Sequence, residues 1–159
     1  MSSFRKLIYS LLFLITACGF SPLYTDNNTS RLTGQISIEE PNSQNEFVFY
    51  SHLVDRFGQT GDKYLLDYTI TTAKKDSALN FDGTAYRVEI SGSVSFSLKD
   101  KEKEIELLSD KEEMYLSYSN SGSTAAVLNA ERNTNKQLVI LLADRVADRI
   151  SLTIVENSL

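Results

Sequence analysis

The sequence predicts an α+β domain: two helices packed on one face of a four-stranded, mostly antiparallel sheet, in the order β-α-β-β-β-α. Three observations predict it. Long segments between Tyr64 and Tyr118 alternate apolar and polar residues with the period of a half-buried strand. Asn45–Phe57 and the stretch from Thr124 to about Leu152 carry apolar residues at helical spacing instead. The three long strands follow one another without an intervening helix, so hairpins connect them and the helices cover one face.

Each element has its own signals. Gln35–Glu39 places Ile36 and Ile38 on one side and stops before Pro41, a short strand. In the first helix Phe49, Leu53 and Phe57 fall at i, i+4 and i+8, Tyr50 and Val54 widen the stripe, and Gly58 supplies a stop. His52 lies beside this stripe with no second His and no nearby Cys, which assigns it a structural or surface role. Tyr64, Leu66, Tyr68 and Ile70 form the inward row of the second strand, and Lys74 to Gly83 reads as a turn-rich connection. Val88, Ile90, Val94, Phe96 and Leu98 make the third strand, with Gly92 in the one inward slot lacking a side chain, a bulge or a close neighbour. Ser91, Ser93, Ser95 and Ser97 line its opposite side. Lys99–Lys103 is a charged hairpin tip. A fourth strand starts with Ile105 and Leu107 and resumes at Met114–Tyr118, with acidic Asp110–Glu113 between them as an exposed bulge or edge. Ser123 or Thr124 caps the last helix, whose stripe runs through Leu138, Leu142, Val146 and Ile150.

Composition narrows the chemistry. In 159 residues, 42% hydrophobic and 23% charged, there is one Cys and one His, so neither an internal disulfide nor a Cys- or His-rich metal site can be assembled. A net charge of −5 argues against a broad nucleic-acid surface, which needs clustered Lys and Arg. No nucleophile elbow, P-loop, HExxH, dinucleotide fingerprint or CxxC occurs. Catalysis and a cofactor are therefore not expected. A lipid-anchored hydrolase would need carboxylates that nothing in the spacing nominates.

The single Cys is at position 18. Arg5 and Lys6 precede the apolar run Leu7–Ile15, the pattern of a secretory signal peptide and about half the length that spans a bilayer. Ile15-Thr16-Ala17-Cys18 resembles the lipobox of bacterial lipoproteins, in which cleavage precedes the Cys and its thiol and new amino group are acylated. Each buried CH₂ of such chains is worth about 0.8 kcal/mol, so several chains anchor firmly. The expected organisation is a signal peptide over 1–17, a lipidated tether over 18–32 and the folded domain over 33–159. Removing Arg5 and Lys6 leaves 14 basic against 21 acidic residues, a mature net charge of −7. Gly19 after the Cys, rather than Asp, favours the outer membrane.

Cys18-Gly19-Phe20-Ser21-Pro22-Leu23-Tyr24 resembles the lipidated start of the LPS-assembly lipoprotein family LptE. Ala73-Lys74-Lys75-Asp76 with Gly83-Thr84-Ala85-Tyr86-Arg87, and Ala130-Glu131-Arg132 with Leu142-Ala143-Asp144-Arg145-Val146, are similar to the family's connection into its longest strand and to its last helix. The resemblance implies two helices on a four-stranded sheet, without enzymatic activity. It implies a lipoprotein anchored on the periplasmic side of the outer membrane, plugging and helping to assemble the LptD β-barrel for lipopolysaccharide transport. It also points to Lys74, Lys75, Arg87 and Arg132 as contacts for lipopolysaccharide phosphates. The positions that best match the family's basic residues read Asp82 and Glu131, acids that favour the plug over the ligand-binding role. The alternative is a lipoprotein subunit or pilotin of another envelope machine, such as a secretion or pilus system.

Overall fold

In the computed structural model the elements are β1 (Ile36–Ile38), α1 (Gln44–Phe57), β2 (Tyr64–Leu79), β3 (Ala85–Asp100), β4 (Ile105–Ser119) and α2 (Thr124–Asn157), in the expected order. The described residues are 32–79, 81–83 and 85–157; the segments expected to be signal peptide and tether, up to residue 31 and including Cys18, lie outside them. The sheet has the order β1-β2-β3-β4. β1 runs parallel to β2, with Ile36 opposite Tyr64 and Ile38 opposite Leu66, because α1 carries the chain back between them. The other two pairings are antiparallel hairpins.

Local chemistry sets the helix ends. The Ser43 side chain accepts from Glu46 N at 3.2 Å, while the Glu46 carboxylate accepts from Asn42 N at 2.7 Å, a near-reciprocal cap. At the other end Gly58 adopts φ +88°, and its N–H donates to Val54 O. Ser123 Oγ accepts from Ala126 N at 3.3 Å and starts α2. α2 runs past the expected end, to Asn157.

The core lies between the helices and the inward row of the sheet. Phe49, Leu53 and Phe57 of α1 and Leu138, Leu142, Val146 and Ile150 of α2 are fully buried, together with Leu66, Val94 and Leu98. Gly92 proves to be a close-approach position, not a bulge: a Cβ there would stand 3.0 Å from Leu138 Cδ2 and 3.1 Å from Leu142 Cδ1. Its pairing with Thr72 and Met114 is regular.

Two expectations need correction. Lys74 to Leu79 is strand, not turn, because Lys74, Lys75 and Asp76 pair with Ile90, Glu89 and Val88. A complete ladder with β3 outweighs the poor strand propensity of Lys and Asp, and bulges around Ala78 absorb the irregularity. Likewise Asp110–Glu113 interrupts nothing: all four residues pair with β3, and the register shift falls at Leu98/Lys99 beside the turn. The edge location is as expected. The inward acids are held by α2, with Arg149 Nη2 at 2.9 Å from Asp110 and Nε at 3.4 Å from Glu112.

Gly92→Val should cost about 1–3 kcal/mol by overpacking against two leucines whose ends can yield. Gly61→Ala should cost more, because its Cβ would sit 2.2 Å from the backbone of Gln35 and Ile36, which cannot yield without moving β1. Urea unfolding of both variants checks the ranking.

Candidate functional site

The continuation of β2 to Leu79 settles where the four candidate cations stand. Successive strand residues alternate faces, so Lys74 and Lys75 part company. Lys74, opposite Ile90 of the inward row, meets α2: its ammonium pairs with Glu131, and Tyr118 Oη donates to the other Glu131 oxygen at 3.2 Å. Arg132, exposed on the next position of α2, adds positive potential to the same carboxylate. Lys75 and Arg87 lie on the opposite, open face around Glu89, which pairs directly with Lys75. All four therefore gather at the β2–β3 end of the sheet, split between its two faces. Among the described residues, Lys75, Arg87 and Arg132 form no ion pair, whereas Lys74 is committed to Glu131.

The open face is a polar surface with few interruptions. The Ser91, Ser93, Ser95 and Ser97 row is flanked by Thr69 and Thr71 on β2 and by Lys111, Glu113 and Ser117 on β4. Lys111 pairs with Glu113 at 2.6 Å and Lys99 with Asp67 at 2.7 Å, so much of its charge is neutralised in place. Tyr115, 70% exposed and opposite Ser91, is its large aromatic. At the hairpin end Leu79 and Phe81 are also exposed. Sequence reading passed over these because apolar residues in a segment taken for a turn carry no periodic signal.

His52 has the structural role expected of it. Its Nε2–H donates to Asp144 at 2.9 Å, and Arg56 reaches both Asp144 and Asp148 at 3.0 Å, tying α1 to α2. Asn135 donates to Asn45 Oδ1 at 2.7 Å and Asn45 donates to Thr72 at 3.3 Å, extending the seam onto the sheet. Among the described residues no group of three or more His, Cys, Asp or Glu is placed to hold a metal, and no helix is long and apolar enough to cross a membrane.

The hydrogen bond from Lys74 and its positive charge hold the Glu131 carboxyl below its ordinary 4.5, while the same contact raises Lys74 above 10.5. A depressed carboxyl contributes stability that is present above its unfolded value and lost as pH falls through the folded one. Glu131→Gln should therefore cost less than about 1 kcal/mol near neutrality, as befits a partly exposed pair. The difference from the parent protein should close once the pH drops below the carboxylate range. Thermal melts across pH 2–7 read both.

The LptE lipopolysaccharide-assembly family model matches residues 33–150. Comparison with individually curated proteins gives no match. Among solved structures, rare lipoprotein B from Shewanella oneidensis superposes with a TM-score of 0.62 at 17% identity, covering 79% of this chain and 98% of that one. A protein described as a lipoprotein from Caulobacter crescentus gives 0.64 at 16%, covering 82% and 96%. A minor lipoprotein from Acinetobacter baumannii gives 0.55 at 17%, covering 75% and 91%. At these identities the likeness concerns the fold, and the match over residues 33–150 establishes that the chain belongs to the LptE lipopolysaccharide-assembly family.

Proposed function

We propose that this chain is a lipoprotein acylated at Cys18, held on the periplasmic side of the outer membrane, where it plugs and helps to assemble an LptD-type β-barrel that delivers lipopolysaccharide to the outer leaflet. The proposed organisation is a signal peptide over 1–17, a tether over 18–32 and the domain over 33–159. The observation that carries the reading is the family match across 33–150, which spans nearly the whole described fold. The geometry supports it. With both helices on one side, the other side of the sheet offers hydroxyls and locally paired charges, a surface suited to the wet lumen of a barrel. A lipid tether raises the local concentration of the domain near a membrane-embedded partner. In this role the protein makes and breaks no bond and needs no cofactor. Of the residues proposed to meet lipopolysaccharide phosphates, Lys75, Arg87 and Arg132 have charge to offer, whereas Lys74 already serves Glu131.

Affinity capture of the tagged protein from detergent-solubilised outer membrane should bring down a large β-barrel; a secretin ring, or no barrel at all, overturns the proposal. Mass spectrometry of the mature N-terminus should find acylated Cys18. Cys18→Ala should leave the membrane fraction unless the barrel retains it.

A further inference from the structure

The two edges of the sheet differ. β1 covers Tyr64–Leu66 on the β2 side, whereas among the described residues nothing pairs with the outer edge of β4. In an antiparallel ladder alternate residues exchange both backbone bonds with their partner strand, and the residues between them turn theirs outward. Asn120 N donates to Tyr86 O at 2.9 Å, so the even-numbered residues along the second half of β4 face β3. Glu113, Tyr115, Ser117 and Ser119 therefore direct their N–H and C=O groups to the free edge.

This edge is guarded over its first half only. Lys111 belongs to the same outward set, but the Asp110 carboxylate already accepts its N–H at 2.8 Å. Asp110 and Glu112 are themselves held inward by Arg149. From Met114 to Ser119 there is no charge, no Pro and no register shift, the devices that ordinarily protect an exposed strand. The stretch left open, Glu112 to Tyr118, is centred on Tyr115. On its helix side Met114 and Leu116 are half-buried; on the open face Tyr115 is 70% exposed.

We propose that this edge pairs with the same edge of a second copy of the chain, antiparallel about a two-fold axis at Tyr115, joining two four-stranded sheets into one of eight. The stretch is complementary to itself in that register. Met114 comes opposite Leu116 of the second copy and the reverse, Tyr115 meets its counterpart, and Glu113 meets Ser117. Apolar and aromatic pairs thus face each other, and no charge is set against a like charge. Other registers lose this match. Sliding one way sets Glu112 against Leu116 and then Glu113 against Glu113; sliding the other way parts the tyrosines and shortens the ladder. The helices leave room. α2 is seated over Gly92, which pairs with Met114 beside the axis, one strand in from the edge. The two α2 helices then stand three strand spacings apart, about 14 Å, beyond the roughly 8–10 Å of helices in contact. Both helix layers fall on one side, and the serine row of the open face stays uncovered. The pairing requires neither acylation nor a barrel.

The test uses the full chain, purified in detergent as a mixture of isotopically heavy and light protein, with p-benzoylphenylalanine replacing Tyr115. Irradiation should give mixed heavy–light crosslinks that map to residues 112–118. Sedimentation equilibrium then reads the strength of pairing with Tyr115 intact. Ser117→Pro should weaken it at least about tenfold, because it removes a donor from the free edge and none from the ladder with β3. Ser117→Lys, facing Glu113 of the second copy, should tighten it, and Phe81→Glu at the β2–β3 hairpin should leave it unchanged. Ser117 and Phe81 are exposed, and thermal melts check that the variants fold. Should Ser117→Pro not fold, the crosslink map and Ser117→Lys decide. Crosslinks confined to one chain, to β2 or the β2–β3 hairpin of another copy, or to a co-purifying protein overturn the proposal. So does a failure to pair, pairing that a folded Ser117→Pro leaves at full strength, or pairing that Ser117→Lys weakens. None of these outcomes bears on barrel capture, so this inference and the proposed function fail separately.

Discussion

The seam between α2 and β3 at Gly92 constrains the rest of the molecule. With no side chain at Gly92, Leu138 and Leu142 settle against the strand backbone, so α2 lies close over the centre of the sheet. The inward residues on either side, Ile90 and Val94, are then sealed along with Phe96 and Leu98. α1 fills the remaining width over β1 and β2 through Phe49, Leu53 and Phe57. Both helices are thereby spent on one face. Since strand side chains alternate strictly, the opposite row of serines and threonines is left uncovered. The polar open face is a consequence of how the apolar one is closed.

The same arrangement decides what charge can do. The helices and strands carry their acids and bases in register with one another: Arg56 with Asp144 and Asp148, Arg149 with Asp110 and Glu112, Lys74 with Glu131. Each pair is partly exposed, so its contribution to stability is small, but together they tie α2 to α1, β2 and β4. An edge strand with Asp110, Glu112 and Glu113 also resists pairing with a stray strand.

Legibility in the sequence followed physical range. Elements whose signal is local are legible: Phe49, Leu53 and Phe57 in α1, the Gly58 stop, a cap at Ser123 or Thr124 that the structure assigns to Ser123, and the alternating row of β3. What failed was non-local. Nothing between Lys74 and Leu79 looks like a strand, because its strandedness comes from a ladder with Glu89 and Ile90 rather than from its own side chains. Asp110–Glu113 resembled an interruption for the same reason, its inward acids being answered by Arg149, far along the chain. The four candidate cations stand near the β2–β3 hairpin and the first part of α2. Their division between two faces, and the capture of Lys74 by Glu131, became visible only once Lys74 and Lys75 belonged to a strand.

Internal pairing of charge bears on how such a domain stays at a membrane. Stable attachment takes either more than one acyl chain or one chain with a polybasic patch. Here Lys74, Lys99, Lys111, Arg56 and Arg149 all face carboxylates of the same chain. Lys75 and Arg87, without an ion pair among the described residues, are on one face of the sheet and Arg132 is on the helix side, so these three do not form a patch. Against a net charge of −5, their attraction for an anionic surface is slight and screened within about 8 Å at physiological salt. These three cations therefore do not supply a polybasic second signal. If Cys18 is acylated, as the resemblance of Ile15-Thr16-Ala17-Cys18 to a lipobox leads one to expect, chains on both the thiol and the amino group would supply the hold that these scattered cations do not.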